Sequence, residues 1–206
     1  MIIALDGPAA AGKGTLAKRL AKHYGLNYLD TGSLYRATGL AVLRAGGNPE
    51  DPVAAEKAAR SLTEELRTSP DLRAEETAQA ASKVASIPAV RAALLEFQRT
   101  FAATAPGAVR DGRDIGTVVC PNADVKIFVT ASLEKRAERR LKELLDKGEN
   151  AIWDAVLQDM KERDARDSGR SVAPLVAAAD ANLLDTSELD ADAAFAAAVS
   201  IISQRS

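Results

Sequence analysis

One segment near the start of the chain, Gly7–Thr15, limits the possible folds more than any other. It has the sequence Gly-Pro-Ala-Ala-Ala-Gly-Lys-Gly-Thr, follows an apolar run at 2–5 and precedes a helical pattern that begins at Leu16. A glycine-rich turn between a buried strand and a helix directs backbone N–H groups and the positive helix end at a polyphosphate, and Lys13 adds a mobile charge. A simple surface turn is disfavoured because all fixed positions fall within one strand–turn–helix unit. We therefore predict a loop that binds a nucleoside triphosphate.

The residue that follows the lysine of this loop is unusual. Many such loops have a metal-ligating Ser or Thr there, but here Gly14 occupies the position and the hydroxyl comes one residue later, at Thr15. A metal ion would therefore be held less directly by the protein. The predicted triphosphate-binding residues are Gly7, Pro8, Ala9, Ala10, Ala11, Gly12, Lys13, Gly14 and Thr15.

Length and composition exclude several classes of protein. The 206 residues suit one α/β domain with small inserts, and the net charge of −2 provides no field that would attract nucleic acid polymers or membranes. Cys120 is the only cysteine, so no intramolecular disulfide can form, and we expect it to be a small buried apolar residue. The sole histidine, His23, is explained as a charge at a helix end, so neither a histidine metal site nor a catalytic triad is predicted.

No targeting or membrane segment is expected. The N-terminal residues have the pattern of a core strand, and no apolar run approaches the ~20 residues of a membrane span. We expect a cytoplasmic protein that is monomeric.

Strand and helix patterns alternate along the chain. Apolar runs predict five strands at 2–6, 26–29, 108–110, 125–129 and 182–185, with helices between them. The turn 30–33 is expected to cap a helix from about Leu34 to Arg44, and the segment 46–105 contains helix-forming residues and no convincing strand. This alternation predicts a three-layer α/β fold with a parallel sheet, whose ligands bind at the carboxyl ends of the strands.

Three arginines recur near the end of a predicted helix at steps of three and four residues. Arg163, Arg166 and Arg170 would lie along one side of that helix, and Asp167 could pair with Arg163. Because that pairing leaves Arg166 and Arg170 unmatched, the pattern favours a mobile clamp for phosphate groups over a solvated helix surface.

A second charged cluster, 111–114, follows a short buried strand. Arg113 could bind a phosphate with two hydrogen bonds. Asp114 could accept a hydrogen bond from an amino group on a base and would repel a carbonyl at the same place, which favours cytosine or adenine over uracil and thymine.

Together these motifs resemble those of the bacterial cytidylate kinase family, in the family order and over nearly the whole chain. The resemblance implies a P-loop kinase fold that transfers the γ-phosphate of ATP to CMP or dCMP, with Mg²⁺ bound with ATP. The matching segments are Gly7–Thr15, Asp30–Arg36, Ala80–Ala85, Pro88–Arg91, Asp111–Val119 and Arg163–Arg170 followed by Val172–Leu175.

The resemblance also implies roles for individual residues. Cytosine would be recognised by Ser82, Arg91 and Asp114. The acceptor phosphate would be held by Tyr35, Arg36, Arg113 and Arg170, with Thr31 close by. Asp167, oriented by Arg163, would bind the sugar. The residues expected to act on the transferred group are Lys13, Arg113, Arg163 and Arg170, and further candidates to close over it are Arg136, Arg139, Arg140 and Arg166.

The same resemblance implies a division into parts. The core would comprise 1–45, 106–147 and 172–206, a helical acceptor-binding insert would span about 46–105, and a short lid about 148–171. Two features depart from the family pattern. Thr31 stands where many relatives have serine, and the stretch 46–73 lacks the strand-rich insert of some members.

Two other functions fit parts of the pattern. One is a small P-loop kinase that acts on AMP or on a metabolite that is not a nucleotide. The other is a nucleotide-dependent switch, although the chain has no recognisable Asn-Lys-x-Asp stretch for reading guanine.

Overall fold

The computed structural model of the chain describes residues 1–204 and contains a five-stranded parallel sheet. The order of the strands is β2-β3-β1-β4-β5, with β1 in the centre. The strands are β1 (Ile2–Asp6), β2 (Asn27–Asp30), β3 (Ala108–Gly112), β4 (Val125–Thr130) and β5 (Asn182–Asp185).

The connections between the strands are mainly helical. A 3₁₀ turn at Pro70–Arg73 and a π-helical turn at Ile115–Val119 complete the regular elements of the described chain. The helices are α1 (Lys13–Tyr24), α2 (Thr31–Arg44), α3 (Pro52–Arg60), α4 (Glu64–Thr68), α5 (Glu75–Val84), α6 (Pro88–Ala103), α7 (Leu133–Asp146), α8 (Trp153–Ser168) and α9 (Ala191–Ser203).

Strand β1 is buried between its two parallel neighbours. In register, Asp6 at its carboxyl end lies opposite Gly112 of β3 and Phe128 of β4. Because all three strands run in the same direction, the segments that follow them leave the sheet at one edge. The nucleotide loop and the charged cluster 111–114, which begins at the end of β3, therefore lie side by side.

The chain forms two compact units. The first comprises residues 1–29 and the chain from Thr104 onward, and it contains β1, α1, β3, β4, β5 and α7–α9. Its core is apolar and includes Ile3, Leu5, Leu20, Ile127 and Ile202.

The second unit is Asp30–Ala103, and all of its elements are helical apart from the last residue of β2. Helix α2 packs closely on α5 at Gly39, where a Cβ would lie 2.9 Å from Ala80 Cβ and from the backbone nitrogen of Ala81. Glycine is required at this crossing because any side chain would push the helices apart. The core of the unit includes Val84 and Val90.

The predicted α/β fold with five parallel strands is confirmed, but one helix boundary was wrong. Helix α2 begins at Thr31 rather than near Leu34. Asp30 occupies the N-cap position without making a side-chain capping bond, because its carboxylate pairs with Arg36. The hydroxyl of Ser33 donates back to the carbonyl of Asp30, at 2.6 Å. The residues expected to form a cap thus belong to the first turn of the helix itself.

None of the helices within residues 1–204 has the length and apolar character needed to cross a membrane.

Candidate active site

The nucleotide loop connects β1 to α1 and has a backbone that only glycine permits at its first position. Gly7 has a φ of +146°, and a Cβ there would lie 1.9 Å from the carbonyl oxygen of Val129. Gly12 takes the left-handed conformation at the N-cap of α1, with no side-chain capping bond. No acidic residue lies in the first turn of α1. The positive end of the helix therefore faces the loop without a carboxylate of its own turn to neutralise it.

Three carbonyl groups of the loop are held by side chains. The carbonyl of Pro8 accepts from Lys13 Nζ at 2.6 Å, and that of Ala9 lies 3.4 Å from Arg136 Nη1. The carbonyl of Ala11 accepts from the hydroxyl of Thr186 at 3.0 Å. These bonds fix the peptide planes of the loop. Fixed peptide planes hold backbone N–H groups ready for an anion without reorganisation.

Lys13 is buried at the start of α1. Burial, together with the nearby positive charges of Arg113 and Arg163, lowers its pKa to about 7, against the opposing effect of Asp111 and Asp6. The lysine thus lies where positive charge is already concentrated. An anion placed beside it would restore its charged form.

Asp6 is a buried carboxylate directly before the loop. Its two oxygens accept hydrogen bonds from the backbone N–H groups of Ile115 and Gly116, each at 2.7 Å. Burial, together with the charge of Asp114, raises its pKa to about 6, against the opposing effect of the two backbone bonds and of Lys13.

Asp111 at the end of β3 lies beside the loop. It accepts a hydrogen bond from the hydroxyl of Tyr28 at 3.1 Å, and a Cβ on Gly14 would lie 3.8 Å from its second oxygen. This places a carboxylate next to the position where other loops of this kind carry a hydroxyl. Within residues 1–204, no three His, Cys, Asp or Glu side chains are grouped so that they could hold a metal ion.

Asp167 is the centre of an arginine cluster in the first unit. Its carboxylate accepts from Arg113 Nε at 2.7 Å and from Arg170 Nη2, and its side chain is only 2% exposed. Burial opposes ionisation, but the charges of Arg113, Arg170 and Arg163 outweigh it and lower the pKa of Asp167. A single carboxylate thus holds arginines from two separate segments in fixed positions.

In the second unit, the predicted acceptor residues also lie in ordered surroundings. Arg91 lies over the ring of Tyr35, with 5.3 Å between the guanidinium carbon and the ring centroid, and donates to the carbonyl of Ala85 at 3.1 Å. Thr31 and Ser82 are buried. The site predicted from the sequence therefore divides into two groups. Tyr35 and Arg91 meet in the second unit, and Lys13, Arg113, Asp167 and Arg170 belong to the first.

Comparison with known proteins decides the family. The family model for cytidylate kinase matches residues 3–204. The cytidylate kinase of Paramagnetospirillum magneticum is 67% identical over 99% of this chain and 98% of its own. That of Rhodospirillum rubrum is 58% identical over all of this chain and 99% of its own. The chain belongs to the cytidylate kinase family.

Solved structures with low sequence identity share the fold of this cytidylate kinase family member. An uncharacterized protein from Eubacterium ventriosum aligns over all of this chain and 99% of its own, with a TM-score of 0.58 and 14% identity. A crystal structure from Chloroflexus aurantiacus aligns over all of this chain and 97% of its own, with a TM-score of 0.50 and 16% identity.

The predicted state of the arginines in this cytidylate kinase family member was partly wrong. Arg170 pairs with Asp167 and Arg166 lies 3.9 Å from Glu162, so neither is unmatched as predicted. The helix α8 ends at Ser168, and the backbone N–H of Leu175 donates to the carbonyl of Asp167. The turn that follows α8 brings Arg170 close to Asp167. The helical spacing of the arginines alone did not predict this contact.

Two of the arginines on α7 also form hydrogen bonds within the chain. Arg136 forms two bonds with Asp164 of α8, at 3.1 and 2.7 Å, and one with the carbonyl of Ala131. Arg139 donates to the hydroxyl and the carbonyl of Thr186. Arg136 therefore ties α8 to α7 and to the loop.

Sequence analysis missed several residues that support this cytidylate kinase family site. They are Asp6, Asp164 and Thr186. For Asp6, a usable signal was present, because a carboxylate that ends a buried strand directly before a phosphate loop is costly without a partner. Asp164 and Thr186 carry no such signal, because their partners are distant in the sequence.

Proposed function

We propose that this chain transfers the γ-phosphate of ATP to CMP or dCMP, giving ADP and CDP or dCDP. The observation that carries the proposal is the concentration of cations around Lys13, where Arg113 and Arg163 are close enough to lower the pKa of the lysine. One triphosphate does not need so many positive charges outside its own loop. Two phosphate substrates that are held close together need several positive charges around them.

The donor half of the proposed site is the loop Gly7–Thr15. Its backbone N–H groups and the start of α1 would hold the phosphates of ATP, and Lys13 would place a positive charge against them. The side-chain bonds to the carbonyls of Pro8, Ala9 and Ala11 support this role because they fix the loop before ATP arrives.

The acceptor half of the proposed site consists of the residues that the resemblance to the family implies. Arg113 and Arg170 would hold the phosphate of CMP together with Tyr35 and Arg36, with Thr31 close by. Asp167, held by the two arginines, would bind the sugar. The proposed cytosine-reading residues are Ser82, Arg91 and Asp114.

The proposed chemistry needs no general base, because the acceptor is already a phosphate anion. Catalysis would come from positioning and from stabilising the charge that spreads over the transferred group. Lys13, Arg113, Arg163 and Arg170 would do this, and a lid at about 148–171 would exclude water and so suppress hydrolysis of ATP. The helical segment at about 46–105 is the proposed acceptor-binding insert.

Mg²⁺ would be bound with ATP and would neutralise its phosphates. The chain supports this arrangement in two ways. Gly14 provides no side-chain ligand, and the Asp111 carboxylate, one oxygen of which would lie 3.8 Å from a Cβ on Gly14, would accept a hydrogen bond from a water molecule. We therefore propose that the ion is held mainly through phosphates and water. The complete set of proposed residues lies in one chain, and ATP and CMP are cytoplasmic metabolites, which supports a cytoplasmic monomer.

A coupled assay of ADP production tests the proposed function. Formation of ADP should depend on CMP or dCMP and should stay near the background rate with AMP or shikimate. A rate that AMP stimulates more than CMP would replace the proposal with a different kinase. A rate that depends on a protein partner and not on any small acceptor would favour a nucleotide-dependent switch.

Asp114→Ala is expected mainly to reduce discrimination between CMP and UMP. A carboxylate accepts from the amino group of cytosine and repels the carbonyl of uracil, so its removal should narrow the ratio of kcat/KM values by about 10- to 100-fold. Steady-state kinetics with both nucleotides measure this ratio. An unchanged CMP to UMP preference would remove the base-reading role from Asp114.

A further inference from the structure

We infer that Asp6 is a positioning residue for the acceptor site: it fixes the segment that carries Arg113 and Asp114 against the start of the nucleotide loop. This inference rests on the proposed function, because it concerns how the two halves of that site are aligned. Asp6 ends β1 and directly precedes Gly7. It therefore belongs by sequence to the donor side, whereas its hydrogen bonds go to the segment after β3.

The hydrogen bonds of Asp6 are made to the first two residues of the π-helical turn Ile115–Val119. One carboxylate oxygen accepts from Ile115 N and the other from Gly116 N, both at 2.7 Å. Asp114 occupies the N-cap position of that turn but makes no side-chain capping bond to it. Asp6 therefore supplies the cap from another strand.

The π-helical turn is also confined by the side chains that surround Gly116. A Cβ on Gly116 would lie 3.3 Å from Asp6 Oδ2 and 3.1 Å from Cδ of Lys126. Lys126 is itself held by Asp180 through an ion pair at 2.9 Å. Gly116 thus fits between two side chains, and a change at Asp6 would displace the turn and, with it, Asp114 and Arg113.

The electrostatic surroundings agree with a role beyond packing. A buried carboxylate is costly, and here burial raises the pKa of Asp6 to about 6 despite its two backbone bonds. The charged groups that act on it are Asp114, which raises the pKa, and Lys13, which lowers it. Asp6 is therefore close enough to both Lys13 and Asp114 to interact with their charges.

Asp6→Asn tests the inference because it keeps the size of the side chain and removes one acceptor. An amide NH₂ would face one of the two backbone N–H groups, so the turn should move away from it. We expect kcat/KM for CMP to fall about 10- to 100-fold and the CMP to UMP preference to narrow. The KM for ATP should change by less than about threefold, because the carbonyls of the loop remain held by Lys13, Arg136 and Thr186.

Asp185→Asn is the matched control. Asp185 also ends a strand of the sheet and accepts from a backbone N–H, that of Ser187 at 2.8 Å, but it is exposed. This variant should keep the kinetics of the unchanged chain. Gly116→Ala is the second test. Its added methyl group presses on the same turn while the Asp6 carboxylate stays, so it should raise the KM for CMP more than the KM for ATP.

The outcomes separate the inference from the proposed function. If the unchanged chain lacks CMP-dependent ATP turnover, the proposed function fails and the inference with it. If the unchanged chain is active and both Asp6→Asn and Gly116→Ala keep their KM for CMP and their CMP to UMP preference, Asp6 is a structural residue only. If the variants lose activity only because less of the protein folds, and the folded fraction has normal kinetics, Asp6 is likewise a structural residue. That result would overturn the inference.

Discussion

Lys13→Met is expected to lower kcat by about a thousandfold and at the same time to make the fold more stable. The loss of activity follows because the variant lacks the charge proposed to stabilise the transferred phosphate, and single groups of this kind contribute about 10²- to 10³-fold or more. The gain in stability follows because the folded chain lowers the pKa of Lys13 to about 7. Since one pKa unit corresponds to about 1.4 kcal/mol, methionine should raise the free energy of unfolding at pH 7 by roughly 1–3 kcal/mol after loss of the bond to Pro8.

The pH dependence of this gain provides a control. Below pH 7 the lysine is charged in both the folded and the unfolded chain, so the advantage of methionine is largest there. Between about pH 7 and 10.5 the unfolded chain binds the proton and the folded chain does not, so the stability of the unchanged protein rises and the advantage shrinks. Urea unfolding of both proteins across this pH range measures the difference between their free energies of unfolding. A Lys13→Met variant that is less stable at pH 6 would show that burial is not the main influence on this lysine.

Arg113→Ala is expected to lower kcat by about a thousandfold and also to weaken the fold. The activity falls because arginines that stabilise a transferred phosphoryl group are worth about 10³- to 10⁵-fold. A residue that follows a strand and binds only phosphate would contribute little to stability. The ion pair with Asp167 predicts a larger effect, because the buried carboxylate loses one of the guanidinium groups that stabilise its charge. We expect the free energy of unfolding to fall by about 2 kcal/mol.

A second substitution tests the ion-pair cluster around Asp167. Adding Asp167→Asn to Arg113→Ala also takes the carboxylate away from the buried Arg170, so the free energy of unfolding should fall further. Turnover should stay low, because the phosphate-binding guanidinium is still missing. Near-normal CMP phosphorylation by Arg113→Ala would overturn the assignment of Arg113 to the transferred phosphate.

The fold was largely predictable because its signals are local. Buried strands appear as short apolar runs, and the segment Gly7–Thr15 specifies a strand–turn–helix unit by its glycines and lysine. The start of α2 was not predicted correctly, because Asp30 and Ser33 have the residue types of a cap. Only the structure shows that Asp30 pairs with Arg36 instead.

The supporting contacts of the site could not be predicted because they join residues that are distant in the sequence. Asp6 and Ile115 are 109 residues apart, and Arg113 and Asp167 are 54 apart. Helical spacing indicated Arg163 as the partner of Asp167, since it considers neighbours on one helix only. Two arginines that donate to its carboxylate come from the segment after β3 and from the chain beyond α8, and this spacing could not indicate the first of them.

The most direct test of the central claim is to follow the γ-phosphate of ATP. ATP labelled at that position is incubated with the protein, Mg²⁺ and CMP, and the labelled products are separated. The account predicts that the label appears in CDP and that little inorganic phosphate forms, with or without CMP. Label recovered mainly as inorganic phosphate, or no transfer to CMP under conditions in which the chain is folded and binds ATP, would contradict it.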